Sequence, residues 1–263
     1  MKKFKKLFVL LSATMMLMSC NNNVSSVSQP SNEESTEAEK EPLENGYYYK
    51  EIEFEDTGDT YAGFVDENDI PQGSGIMYYA TGSVYYGDFV NGIPEGNGRF
   101  EWDSGCTYIG KMKDGLMHGV GYMYWPVGDY FYGEWKNGTF TYGTKYFLQA
   151  GAAIDGAIKD RYCIYFGEFD NNGLMSGWGT MHWPAGDYYE GEWSNNVRHG
   201  YGTQYWPVND MNIPELMFVG QFSMDNGGWI MGEGTMYYKD GHIEKGTWNG
   251  TNKVSDDFSG NQL

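Results

Sequence analysis

The chain is poor in the residues that form an ordinary hydrophobic core. Leucine is normally among the commonest residues. Beyond position 19 it occurs only at Leu43, Leu116, Leu148, Leu174, Leu216 and Leu263. Phe, Trp and Tyr instead make up 17% of the 263 residues, and 38 residues are glycine. Any core must therefore be built from aromatic rings and methionines that lie over glycines.

Basic residues and cysteines are also scarce. The chain has 17 Lys and Arg against 36 Asp and Glu, a formal net charge of −19. An acidic surface repels phosphate backbones, so we expect no binding to nucleic acid. The three cysteines show no metal-type CxxC spacing. Cys106 and Cys163 either form a disulfide or stay separate thiols, and their separation by about two repeats favours the latter.

The sequence signatures of common enzymes are missing as well. There is no P-loop, Rossmann glycine pattern or Ser-His-Asp arrangement. Glu134, Glu168 and Glu192 suggest the paired carboxylates of a glycosidase, but they share one position of a repeated motif, which favours a role in sheet solubility. His118 and His199 also recur with the motif, which disfavours a metal site. We expect a protein that is not an enzyme and has no cofactor.

The first twenty residues resemble the export signal of a bacterial lipoprotein. Four lysines precede an apolar stretch, residues 7–18, that is too short to span a bilayer comfortably. The letters LMSC at 17–20 are similar to a lipobox, in which Cys20 would receive diacylglycerol and become the acylated N-terminus. The alternative is a plain signal peptide with an incidental cysteine. Cleavage before Cys20 removes the four lysines and leaves a formal charge of −23.

From residue 57 onward the chain repeats a short motif. Gly82, Gly105 and Gly128 are each 23 residues apart. The motif reads Gly-x-x-aromatic-x-Gly-acid-aromatic, then Asn-Gly, then Gly-x-Gly and a closing aromatic. Clear copies are GSVYYGDFVNG at 82–92, GDYFYGEWKNG at 128–138, HGVGYMYW at 118–125 and HGYGTQYW at 199–206. A period of this length indicates an array of one small supersecondary unit.

Alternation within each unit predicts a β-hairpin. Tyr85, Gly87 and Phe89 share one face of the first strand, and Asn91-Gly92 suits the reversal because both positions tolerate positive φ. Glycine within a strand is costly unless another group must approach the backbone closely. We expect aromatic rings to lie on the Gly-x-Gly segments, with packing sites at Gly98, Gly121, Gly179 and Gly202.

The motif resembles the MORN repeat (membrane occupation and recognition nexus), whose consensus runs near YxGEWxxGxxHGxG. Residues 131–135 (FYGEW) and 189–193 (YEGEW) match its first half, and 118–121 (HGVG) and 199–202 (HGYG) match its second. The resemblance covers about residues 57–250. The chain is similar, more remotely, to aromatic and glycine-rich hairpin repeats that bind choline or glucans, which usually lack the GEW and HGxG steps.

The resemblance implies an all-β fold, an elongated single-layer antiparallel sheet of tandem β-hairpin repeats. We expect a signal peptide (1–19), a lipid-anchored flexible linker (20–45), a repeat array (46–250) and a C-terminal tail (251–263). The motif is irregular near 144–161, where we expect the array to bend or split. A single hairpin is marginally stable, so stability should depend on contacts between neighbouring repeats.

The aromatic rows carry the functional prediction. Their rings either pack between repeats or stay exposed in a groove, because a single-layer sheet cannot cover both faces and large exposed apolar patches usually bind something. The candidate binding residues are Tyr85, Trp102, Tyr108, Trp125, Trp183, Tyr189 and Trp206. MORN-family modules occur beside lipid kinases, junctophilins and a SET-domain methyltransferase as membrane-contact or protein-contact modules. The acidic body disfavours direct contact with anionic headgroups.

The sequence thus favours a binding or scaffolding module of the bacterial envelope, held at the membrane by a lipid anchor, with a protein or peptide partner whose identity the sequence does not give. The alternative is binding to envelope glycans such as peptidoglycan, with aromatic faces stacked on sugar rings. An envelope enzyme is the least favoured function, because the repeats leave no room for a catalytic domain.

Lipidation of Cys20 is directly testable. The Cys20→Ser variant should remain unprocessed or become soluble, because the variant has no thiol to acylate. Metabolic labelling with a fatty acid should mark the wild-type protein and not the variant. An unlabelled wild-type protein that partitions into the membrane as the variant does would contradict the prediction.

Overall fold

The computed structural model describes residues 46–148, 162–207, 214–223 and 228–257. Within these ranges the chain forms one sheet of seventeen strands and no helix, which confirms the predicted all-β architecture. The strands are β1 (Tyr48–Phe54), β2 (Asp59–Val65), β3 (Pro71–Tyr78), β4 (Val84–Val90), β5 (Ile93–Glu101), β6 (Thr107–Lys113), β7 (Leu116–Tyr124), β8 (Tyr130–Lys136), β9 (Thr139–Leu148), β10 (Tyr162–Phe169), β11 (Met175–His182), β12 (Tyr188–Ser194), β13 (Val197–Tyr205), β14 (Glu215–Ser223), β15 (Trp229–Tyr238), β16 (Ile243–Asn249) and β17 (Asn252–Ser255).

The strands follow one another in space in the order of the sequence. Each pairs antiparallel with the strand before it and the strand after it. Among the described residues no pairing joins the first strand to the last, so the sheet is open. The result is a continuous meander of hairpins, as expected for a repeat array.

Two of the predicted boundaries need correction. The sheet does not split near 144–161, because residues 144–148 continue β9 and this strand pairs with β10 from Leu148↔Tyr162 onward. Residues 149–161 lie outside the described ranges. The predicted C-terminal tail also begins too early, because Asn252–Ser255 forms β17 and pairs with β16. The predicted signal peptide and linker, residues 1–45, lie outside the described residues.

The predicted turns are confirmed by the backbone. Asn91 and Gly92 both have positive φ, 51° and 79°, which suits a two-residue turn that matches the twist of the flanking strands. The Asp114-Gly115 and Asn137-Gly138 turns have the same pattern. At the β12–β13 turn Asn196 replaces the glycine with a φ of 65°. Asparagine tolerates this region better than most residues, so the hairpin keeps its form.

One glycine from each strand between β2 and β16 lies in a single row across the sheet. Each member is paired directly with the glycine of the next strand, in fifteen consecutive strands. The members of this glycine row are Gly63, Gly75, Gly87, Gly98, Gly110, Gly121, Gly133, Gly143, Gly167, Gly179, Gly191, Gly202, Gly220, Gly234 and Gly246. We call the face on which aromatic rings cover this row the inner face, and its opposite the outer face.

An aromatic ring of the first strand of each hairpin lies directly on two glycines of the row. The Tyr189 ring covers Gly191 and Gly202, and a Cβ built on Gly202 would lie 2.5 Å from its Cε2 and Cζ. The Tyr189 hydroxyl donates to the carbonyl oxygen of Glu192 at 3.0 Å. The same arrangement holds for Tyr61, Tyr85, Tyr108 and Tyr165, while Phe131 and Phe218 take this place without a hydroxyl. Gly98, Gly121, Gly179 and Gly202 are thereby confirmed as packing sites.

Successive hairpins are joined by edge-to-face aromatic contacts on the inner face. Trp193 contacts Tyr189 of its own hairpin at 5.2 Å between ring centroids and Tyr165 of the preceding hairpin at 5.3 Å. Its indole Nε1 donates to the carbonyl oxygen of Gly179 at 3.0 Å. Phe89 bridges Tyr85 and Tyr61 in the same way. Such pairs contribute about 0.5–1.5 kcal/mol beyond their burial, so they link neighbours along the array.

The contact between ring and backbone predicts a large difference between two adjacent substitutions. Gly202→Val should destabilise the protein by about 1–3 kcal/mol or more, because its side chain collides with Tyr189. Thr203→Val on the outer face should change stability little, because β-branched residues suit strands. Thermal melts followed by circular dichroism compare the two variants. Equal melting temperatures would contradict the proposed packing.

Candidate functional site

The seven aromatic residues predicted to line a groove all lie on the inner face. Tyr85, Tyr108 and Tyr189 are fully buried and Trp125 is 8% exposed. The other three pack against this core as half-buried residues: Trp102, Trp183 and Trp206. The sequence correctly placed these rings on one face, but their neighbours from successive hairpins cover them. A partner cannot reach the three tyrosines without disrupting the fold.

Two basic side chains further close the inner face. The Lys145 ammonium lies 4.9 Å from the ring centroids of Trp125 and Phe147. Burial lowers the pKa of Lys145, and the nearby Asp129 carboxylate partly opposes this. The Arg198 guanidinium lies 5.7 Å from the Trp183 ring and hydrogen-bonds the Gln204 side chain at 2.5 Å. These cation–π contacts use the indole faces that a ligand would need.

Exposed aromatic residues lie instead on the outer face. Five tyrosines of β7, β8 and β9 form what we call the tyrosine ladder: Tyr122, Tyr124, Tyr130, Tyr132 and Tyr146. Tyr122, Tyr124 and Tyr132 are 43–45% exposed. The outer-face position of these tyrosines can be read from the sequence, because they alternate with the inner-face residues of their strands. Tyrosine combines a large apolar surface with a hydroxyl and is enriched at protein interfaces.

The rings of the ladder stand side by side and stack on one another. Tyr130 and Tyr146 are 4.1 Å apart between centroids with an interplanar angle of 13°, and Tyr122 and Tyr132 are 4.4 Å apart at 27°. Burial raises the pKa of Tyr130 to about 12, and the adjacent Tyr146 adds to this shift. The Tyr130 hydroxyl therefore stays protonated at neutral pH. Stacking therefore covers at least one face of each ring in the ladder.

The three glutamates of the repeated motif lie exposed on the outer face, as predicted. Two of them, Glu168 and Glu192, also have a structural role that the sequence did not reveal. The Glu192 carboxylate accepts the backbone N–H of Tyr201 at 2.8 Å, and that of Glu168 accepts the N–H of Trp178 at 3.2 Å. Each of these bonds spans a bulge where the register of the hairpin shifts. The positive φ of Gly200, 58°, is part of this bulge.

The remaining candidate ligands are dispersed. Cys163 is buried and is not joined to Cys106. His118 lies in β7 and His199 in β13, six strands away along the meander. Within the described ranges there is no group of three or more His, Cys, Asp or Glu side chains placed to hold a metal ion. In the same part of the chain, no helix is long and apolar enough to cross a membrane.

Comparison with known families finds six MORN repeats in the chain. The model of the MORN repeat matches residues 67–84, 85–107, 108–130, 165–188, 189–211 and 226–243. The matches leave a gap between residues 130 and 165, which includes the irregular stretch. No curated protein matches the chain significantly in sequence.

Among solved structures, two similar chains are domains of CPAP proteins. One is the TCP10 domain of Danio rerio CPAP, 11% identical, with 78% of this chain and 96% of that chain covered and a TM-score of 0.29. Another is the TCP domain of Drosophila melanogaster SAS-4 (dCPAP), 10% identical, with 80% and 96% covered and a TM-score of 0.26. At these scores the likeness carries no argument about function.

Proposed function

Because the chain carries six MORN repeats, we propose that it is a non-catalytic module that binds a protein partner on the tyrosine ladder of its outer face. The carrying observation is the exposure of this ladder. Three of its tyrosines are more than 40% exposed, although the inner face offers a buried place to aromatic residues. Exposed apolar patches of this kind usually mark interaction sites.

The arrangement of the rings favours a protein over a glycan. A sugar ring stacks on an open aromatic face, whereas Tyr130 has Tyr146 stacked at 4.1 Å and Tyr124 at 6.2 Å. The ring surfaces and hydroxyls that remain exposed suit the hydrogen bonds and close apolar contacts of a protein interface. The exposure of the ladder and the mixed apolar and hydroxyl surface of its tyrosines therefore support a protein partner.

The module would act at the bacterial envelope. The basic and apolar leader and the LMSC letters at 17–20 support export and acylation of Cys20. The polar residues that follow would hold the sheet away from the lipid surface, because they have too little apolar surface to offset the entropy of ordering. The partner would then be another envelope protein brought within reach of a tethered sheet.

A photo-crosslinking amino acid at Tyr132 in living cells tests this function. The expected result is a crosslink to one protein species. The same amino acid at Tyr49 is the matched control, because Tyr49 is a 48% exposed tyrosine at the end of the sheet. Tyr49 lies in β1 and is paired with Phe64 of β2, which is also on the outer face. The control position should give no such product.

Two results would contradict the proposal. Identical crosslinks from Tyr132 and Tyr49 would show that the ladder has no specific partner. Sedimentation of the wild-type protein with peptidoglycan, lost in Tyr132→Ser while the melting temperature is unchanged, would show that the ladder binds glycan instead.

A further inference from the structure

A second outer-face feature alternates carboxylates with aromatic rings across six consecutive strands. The pairings Glu134↔Tyr142 and Tyr142↔Glu168 place these three residues side by side in β8, β9 and β10. The pairing Trp178↔Glu192 continues the row into β11 and β12. We call the set the carboxylate–aromatic row: Glu134, Tyr142, Glu168, Trp178, Glu192 and Tyr201. Trp178 is 51% exposed and Tyr142 is 41% exposed.

The carboxylates of the row have capacity for a further partner. Glu168 and Glu192 each use one oxygen, Oε1, for the backbone of a bulge. An ionised carboxylate has two oxygens with about four acceptor sites. None of the ion pairs within the described ranges includes a glutamate of the row. The open oxygens lie beside exposed rings, and both groups attract a cation.

Two basic side chains of this part of the sheet point the other way, whereas Lys136, two residues beyond Glu134 in β8, is exposed on the outer face. Lys145 and Arg198 lie within β9 and β13, but their charged groups pack over inner-face rings. Glu190, another exposed carboxylate, lies on the outer face beside the row. With four exposed glutamates against Lys136, the outer face is therefore predominantly acidic here, on a chain of net charge −19. A second copy of the chain, an anionic lipid surface or a nucleic acid would be repelled.

The geometry also restricts the shape of a cationic partner. Successive carboxylates of the row are two strands apart, which corresponds to roughly 9.5 Å between their backbones. A polyproline II helix has three residues per turn and rises about 3.1 Å per residue. Every third side chain therefore lies on the same side of the helix, about 9.3 Å from the previous one. Arginine or lysine at every third residue would meet the carboxylates in turn, with the rings between them for cation–π contact.

We propose that the carboxylate–aromatic row binds an extended basic segment of the partner protein that lies across the strands and presents Arg or Lys at every third residue. This inference rests on the proposed function and adds the chemistry of the partner. The tyrosine ladder would hold apolar parts of the same partner, since Tyr142 of the row follows Tyr132 and Tyr130 by a single strand.

The test uses the full-length protein in detergent and a fluorescent peptide of four Arg-Pro-Pro triplets. Glu168→Gln with Glu192→Gln should weaken binding about tenfold, because two charges are lost while Gln retains the oxygen that caps each bulge. Glu53→Gln with Glu67→Gln is the matched control, which removes two exposed carboxylates far from the row. The control should bind within about twofold of the wild type. Trp178→Leu should weaken binding without moving the melting temperature.

Several outcomes would overturn the inference. Equal losses in the row variant and the control would mean that only net charge matters. Equal binding of a peptide with Arg at every fourth residue would contradict the spacing argument. Crosslinks from a photo-crosslinking residue at position 178 to a second copy of the chain would show that this copy, and not a basic segment of the partner protein, occupies the row. If the crosslink at Tyr132 is specific but the captured protein has no basic segment, the proposed function stands and this inference fails.

Discussion

A tyrosine ring can lie flat on the backbone of two paired strands only where neither strand has a side chain on that face. The rest of the structure depends on this constraint. Tyr189 covers Gly191 and Gly202, and its hydroxyl reaches the Glu192 carbonyl just beyond the glycine. The entropic cost of two glycines in a sheet is offset by the burial of a whole aromatic ring and by a hydrogen bond for its hydroxyl. Repetition of this unit replaces the second layer that sheets usually need.

The same constraint separates the two faces of the sheet. Rings on the inner face contact their own hairpin and the neighbouring one, as Trp193 does with Tyr189 and Tyr165. Stability is then carried by nearest neighbours along the array. The outer face is not needed for this packing, so its side chains are available to meet other requirements. The stacked tyrosines and the alternating carboxylates occupy this free face.

Much of this fold follows from residue patterns. The period of two within strands predicts the facing of Tyr85, Gly87 and Phe89, and the Asn-Gly pairs predict the reversals. The sequence could not establish which aromatic residues remain exposed. Two of the closing tryptophans, Trp125 and Trp183, are covered by Lys145 and Arg198, which lie at distant positions in the sequence.

The carboxylate–aromatic row depends even more on tertiary pairing. Tyr142 and Glu168 meet across the irregular stretch that no repeat pattern aligns. The bulges add a further difficulty, because they shift the register within a hairpin. That shift brings the Glu192 carboxylate against the N–H of Tyr201, nine positions later. Such contacts can be predicted only if the local register is known, and alternation alone does not provide it.

Limited nitration of tyrosines, mapped by peptide mass spectrometry, tests the two-faced sheet most directly. The reagent attacks accessible phenolate, so both burial and a raised pKa slow the reaction. Tyr122 and Tyr132 on the outer face should be nitrated first. Tyr61 and Tyr108 on the inner face should remain unmodified until the protein unfolds, since burial leaves them at most 1% exposed and raises the pKa of each to about 12. Nitration of all four at the same rate in the folded protein would contradict the account.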